Sequence, residues 1–165
     1  MMQEVGHFSV GGQDPEELRT ALREAGIRLN EYAELLLARP EMTTGEPMDV
    51  TLMACRIEEL GLPDGGTLPQ VYAAAAAHGL APCPLPTAAH LRLQHHERPS
   101  SEPALRRGRP PEGALYVASP PLSQDPELPR GFYLRTVQGV RWLRGYRCDD
   151  EYVHPPESCQ VFRLA

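Results

Sequence analysis

Two periodicities divide the chain, helical spacing in its first half and alternation in its second. Behind Asp14 and Pro15, apolar residues recur at Leu18, Ala21, Leu22 and Ala25. An N-cap, a proline in the first helical position and Glu17 placed for a capping box predict a helix over 15–25, stopped by Gly26. Asn30 opens a second short helix through Tyr32 and Leu37 that must end before Pro40. These two helices form a hairpin with an acidic outer face. Residues 49–57 are rich in strand formers and apolar on both parities, the pattern of a buried strand. Thr67 and Gln70 repeat the capping box ahead of an alanine-rich helix that runs to about His78 and is closed by Gly79.

Alternation then takes over. Residues 90–96 read as a strand with Leu91 and Leu93 inward, residues 113–119 as the next, and residues 159–164 as the last, with Phe162 and Leu164 facing the core. Residues 1–13 read as an arm or short edge strand. The expected fold is α+β: a mostly antiparallel sheet of about five or six strands, with the two N-terminal helices and the alanine-rich helix packed on one face. One domain over 1–165 follows, with a helical part at 14–39, a strand and helix at 49–79, and a sheet part at 90–164. Residues 97–112 are rich in Pro, Ser and Arg with little to bury, which predicts a long mobile loop.

The stretch 132–146 is the most informative. Two strands joined by Gln138-Gly139 fix the pairing: Val137 opposite Val140, Arg135 opposite Trp142, Tyr133 opposite Arg144, Leu134 opposite Leu143 and Phe132 opposite Gly145. That register gives a core side of Phe132, Leu134 and Leu143, with Phe132 covering the bare backbone of Gly145. The other side interleaves Tyr133, Arg135, Trp142, Arg144 and Tyr146. Such a face suits a protein-docking patch, since Trp, Tyr and Arg dominate interface hot spots. It suits equally a stacking platform for single-stranded nucleic acid, or a ladder of cation–π pairs satisfied under the helices.

Charge and composition narrow these choices. The net charge is −6, and the pI of about 5.5 argues against a phosphate-binding surface. All sixteen basic residues are arginine. Without lysine, a Walker-type phosphate loop, a kinase lysine and Schiff-base chemistry are excluded, so no nucleoside triphosphate is expected as a partner. The N-terminus lacks the regions of a signal peptide and no apolar run approaches the ~20 residues of a membrane span, which points to a cytoplasmic protein with no membrane association. Four cysteines are too few for a secreted disulfide framework in a chain of 165 residues.

Other constellations are weaker. Arg107-Gly-Arg109-Pro110, preceded by Arg106, matches the core of an AT-hook but lacks basic flanks. Cys148, His154 and Cys159, with His95 and His96 elsewhere in the sheet half, supply enough ligands for zinc at a spacing that fits no standard finger. A thiol enzyme built on Cys83 would need something to lower its pKa, and two flanking prolines supply nothing. The phrases 30–33, 59–67, 79–84, 90–94, 131–135 and 142–147 resemble an uncharacterised family of small bacterial proteins, sometimes labelled helicases without an ATPase motif. The resemblance implies a bacterial, cytoplasmic, single-domain protein and brings no catalytic residues. The expected function is a non-enzymatic interaction or regulatory module binding a protein partner, or a second copy of itself, through the Arg and aromatic face. The alternative is a nucleic-acid binder using that face with Arg106, Arg107 and Arg109, and a zinc-dependent or thiol enzyme stands third.

Overall fold

Strands drawn from both halves of the chain meet in one sheet. The computed structural model describes residues 2–94 and 113–165. In order, the elements are β1 (Gln3–Val10), α1 (Pro15–Glu24), β2 (Arg28–Leu29), α2 (Glu31–Leu37), β3 (Met48–Arg56), α3 (Leu68–Ala77), β4 (Leu80–Ala81), α4 (Thr87–Gln94), β5 (Leu115–Val117), β6 (Gly131–Val137), β7 (Val140–Tyr146) and β8 (Cys159–Leu164). The sheet order is β1-β3-β8-β5-β6-β7-β2, with β4 also paired to β8. Only β5–β8 and β2–β7 run parallel. The α+β class holds, with more strands than expected because β2 and β4 have two residues each, too few to show a period. The loop at 97–112, with Arg106, Arg107 and Arg109, lies outside the described residues, as do His95 and His96.

Local chemistry starts each helix as its sequence requires. The Asp14 carboxylate accepts from the Glu16 N–H at 3.2 Å, and Pro15 follows it. Thr67 and Gln70 close the capping box reciprocally, Gln70 Oε1 accepting from the Thr67 N–H at 2.9 Å and Thr67 Oγ1 from the Gln70 N–H at 3.4 Å. Two orphan donors of α3 are thereby satisfied. No helix among the described residues is long and apolar enough to cross a membrane.

Strand alternation sends side chains to two covered faces. Val50 and Leu52 of β3, Val161 of β8, Leu134 of β6 and Leu143 of β7 pack with α1, α2 and α4. The intervening residues Cys55 and Phe162 pack instead with Val71 and Ala75 of α3. The alanine-rich helix therefore lies on the opposite face from the N-terminal pair, not on the same face. Residues apolar on both parities in β3 and β8 are the sequence trace of this double cover.

The strand expected at 90–96 is a helix, α4. Thr87, Ala88, Ala89, His90, Leu91 and Arg92 are all buried, so the segment has no polar face to report a helical period. The apparent alternation of Leu91 and Leu93 was too short to decide. Backbone bonds from Thr87 N–H to Pro84 O and from Ala89 N–H to Pro86 O start the turn. The helical hairpin is also interrupted, because β2 leaves α1 and joins the sheet beside β7 before α2 begins.

Candidate functional site

The hairpin of β6 and β7 has the register its turn dictates, from Val137 opposite Val140 to Phe132 opposite Gly145. Gln138 and Gly139 have φ of 50° and 78°, the left-handed pair that a two-residue hairpin turn needs. One detail differs. A Cβ on Gly145 would meet Tyr32 C at 2.7 Å and Ala33 N at 2.8 Å, so the first turn of α2, rather than Phe132, covers this backbone. Asn30 completes the join: its Nδ2 donates to Gly145 O at 3.0 Å, while its Oδ1 accepts from Gly145 N–H at 2.9 Å and Ala33 N–H at 2.8 Å. One side chain thus caps α2 and pairs with β7 like a strand residue.

The Arg and aromatic side does not form one open platform. Tyr133 stacks on Tyr116 at 5.0 Å, and Tyr146 meets Tyr116 edge-on at the same distance. His154 closes this cluster, 5.9 Å from Tyr116 and 6.5 Å from Tyr146. Arg135 is fully buried, and burial together with the neighbouring Arg144 guanidinium holds its pKa below the ordinary value. Three of the five expected face residues therefore serve largely as architecture. Trp142 and Arg144 are half-buried like the tyrosines but lie outside their cluster, with the Arg144 guanidinium 4.2 Å over the indole and Arg28 of β2 at 5.6 Å.

Trp142 opens into a cleft of about 620 Å³ beside β2, the last strand of the sheet. Arg19 and Arg23 of α1, Arg28 of β2 and Glu34 of α2 line it, so three guanidiniums face one carboxylate. Arg19 reaches Glu16 and Glu34 only at 3.9 Å. Arg23 and Arg28 are exposed, and neither makes an ion pair among the described residues. The walls are fixed from behind by Arg141, whose guanidinium donates to Ala25 O at 3.1 Å and Arg92 O at 3.4 Å near the ends of α1 and α4. Cations at helix C-termini satisfy orphan carbonyls and oppose the helix dipole. Arg92 in turn donates to Trp142 O at 3.4 Å. Arg19, Arg23 and Arg28 escaped the sequence reading because acidic residues outnumber arginines in the first half of the chain; their signal was the four-residue spacing of Arg19 and Arg23 on one helix face, with Arg28 just past the stop at Gly26.

The cysteine and histidine candidates divide. The loop after β7 returns to the Gly66 turn, where His154 N–H donates to Gly66 O at 2.8 Å and its carbonyl accepts from Gly66 N–H at 3.1 Å. This places Cys148 Sγ 4.0 Å from His154 Nε2. Cys159 instead stands in β8 opposite Arg56 of β3. Among the described residues no group of three or more His, Cys, Asp and Glu side chains can hold a metal. Burial pushes Cys148 and Cys55 up to about 11 and Cys83 up to about 12, and holds His154 down at about 4 with help from Arg130. Neutral thiol and neutral imidazole are the resting pair, the reverse of an activated thiolate. No protein-family model, curated protein or solved structure matches this chain.

Proposed function

We propose that the protein is a non-enzymatic recognition module that docks an acidic segment of a partner protein in the cleft between α1 and β2, with Trp142 as its anchor. The observation that carries this function is Trp142, half-buried, flanked by Arg28 and Arg144 and lining a cleft with Arg19, Arg23 and Arg28. A ring beside uncommitted guanidiniums offers apolar contact and charge to the same ligand, the combination that concentrates binding energy at interfaces.

Charge favours a short acidic segment over a nucleic acid. With a net charge of −6 the molecule as a whole repels a long polyanion. A short segment seated in the cleft is governed by charges within a Debye length of about 8 Å at physiological salt, and those that line the cleft are three arginines against Glu34. The raised thiols and depressed His154 weigh against the enzyme alternative. Fluorescence anisotropy of a labelled peptide of Glu and Asp with one central Leu tests the proposal, with unlabelled peptide and single-stranded oligonucleotide as competitors. Saturable binding displaced by peptide alone is expected. Displacement by oligonucleotide at lower concentration than by peptide would replace this function with the nucleic-acid alternative.

A further inference from the structure

The cleft between α1 and β2 carries more positive charge than a single carboxylate matches. Three guanidiniums, Arg19, Arg23 and Arg28, line it against the one carboxylate of Glu34, which leaves two positive charges uncompensated. Glu16, the other acid beside Arg19, is exposed and stands 3.9 Å from it. Arg19 and Arg23 lie one turn apart on α1, and Arg28 follows on β2, so all three charges border one space. That space is open to ligand. It measures about 620 Å³, its Arg23 and Arg28 side chains are exposed, and a Cβ on Gly26 in its lining would meet nothing within 4 Å. The C-terminal end of α1 would itself disfavour an anion. Arg141 offsets that end by donating to Ala25 O at 3.1 Å.

We propose that the acidic partner segment is recognised through a phosphorylated side chain, whose dianion sits among Arg19, Arg23 and Arg28 while an adjacent apolar residue rests against Leu29 and Trp142; this rests on the docking function above. Charge selects the group. A phosphoryl ester carries about −1.5 to −2 at neutral pH and three acceptor oxygens, against one charge and two oxygens for a carboxylate. The dianion therefore answers both uncompensated charges at once. Guanidinium forks donate in pairs to phosphate oxygens, which suits a lining made of arginine. A nucleic-acid phosphodiester carries a single charge per group and has no such advantage over a carboxylate. Glu34 opposes a dianion twice as strongly as a monoanion, so it tempers binding most for the ligand that the arginines favour most.

The test compares three labelled peptides by fluorescence anisotropy with the full chain. All share a frame of Glu and Asp around one Leu, and carry phosphoserine, aspartate or serine at the position beside the Leu. The phosphopeptide is expected to bind about tenfold more tightly than the aspartate peptide, with the serine peptide weakest. Arg19→Gln, Arg23→Gln and Arg28→Gln are each expected to weaken the phosphopeptide about tenfold and the aspartate peptide about threefold, since the dianion feels each lost charge twice. Glu34→Gln is expected to tighten the phosphopeptide more than the aspartate peptide. Arg56→Gln, exposed at the end of β3 and paired with Glu58, is expected to change neither. Equal affinity for the phosphoserine and aspartate peptides overturns this proposal and leaves the docking function standing, whereas binding of none of the three overturns both. Displacement of the phosphopeptide by inorganic phosphate at lower concentration than by unlabelled phosphopeptide also overturns it, because the ligand is then the free anion.

Discussion

Asn30 ties two elements together, because its three bonds join the start of α2 to β7 at Gly145. Loss of an N-cap costs about 1 kcal/mol, and each further buried hydrogen bond adds about 1 kcal/mol. Asn30→Ala is therefore expected to lower unfolding free energy by about 2–3 kcal/mol in urea denaturation. The cap was legible from the chain; the strand-like pairing with a residue far along the sequence was not, since nothing local marks Gly145 as its partner. Histidines set the acid limit. His154 is held down at about 4 by burial and then by Arg130, and burial also lowers His90, whose Nε2 accepts from Gly11 N–H. Both must be neutral in the fold and protonate more readily when it opens. Their contribution is present above the ordinary value of 6.5 and is lost as pH falls below it, for His154 toward about 4. Tm is expected to decline through that window, with His154 alone responsible for about 3 kcal/mol. His154→Phe is expected to flatten the decline, and an unchanged pH slope in that variant would contradict the assignment.

Elements were legible in proportion to how one-sided they are. The hairpin of β6 and β7 could be paired residue by residue because a two-residue turn leaves one register, and the α1 and α3 starts were written in their caps. α4 was not legible, because a helix buried on all sides loses the polar stripe that announces it. The hairpin turn offers a direct check on this account. Gln138 holds φ of 50°, where Asn is the favoured residue. Gln138→Asn is expected to raise stability by about 0.5 kcal/mol, and Gly139→Ala, forced to the left-handed region at φ of 78°, to lower it by about 1 kcal/mol. Chemical denaturation reads both, and a destabilised Gln138→Asn would mean that the turn has another form.

For the whole molecule, the five residues of the expected face do not stay together on one open surface. Register alone put Tyr133, Arg135, Trp142, Arg144 and Tyr146 on one side, but it could not say which of them other parts of the chain would cover. The return of the 147–158 loop to Gly66 brings His154 over the tyrosines. The passage of β2 alongside β7 supplies Arg28 to Trp142. Both are long-range contacts with no local sequence signature. The result moves the candidate site from the middle of the sheet to its β2 edge, where arginines from the acidic half of the chain join the one tryptophan. Trp142 reports on that edge directly, so its fluorescence during titration with the acidic peptide is the most direct test of the proposed function. A saturable change is expected that weakens as salt rises and falls at least about tenfold in affinity for the double variant Arg23→Gln and Arg28→Gln, a loss of about 1.4 kcal/mol or more. An unchanged Trp142 spectrum at saturating peptide, or equal affinity in the double variant, would contradict it.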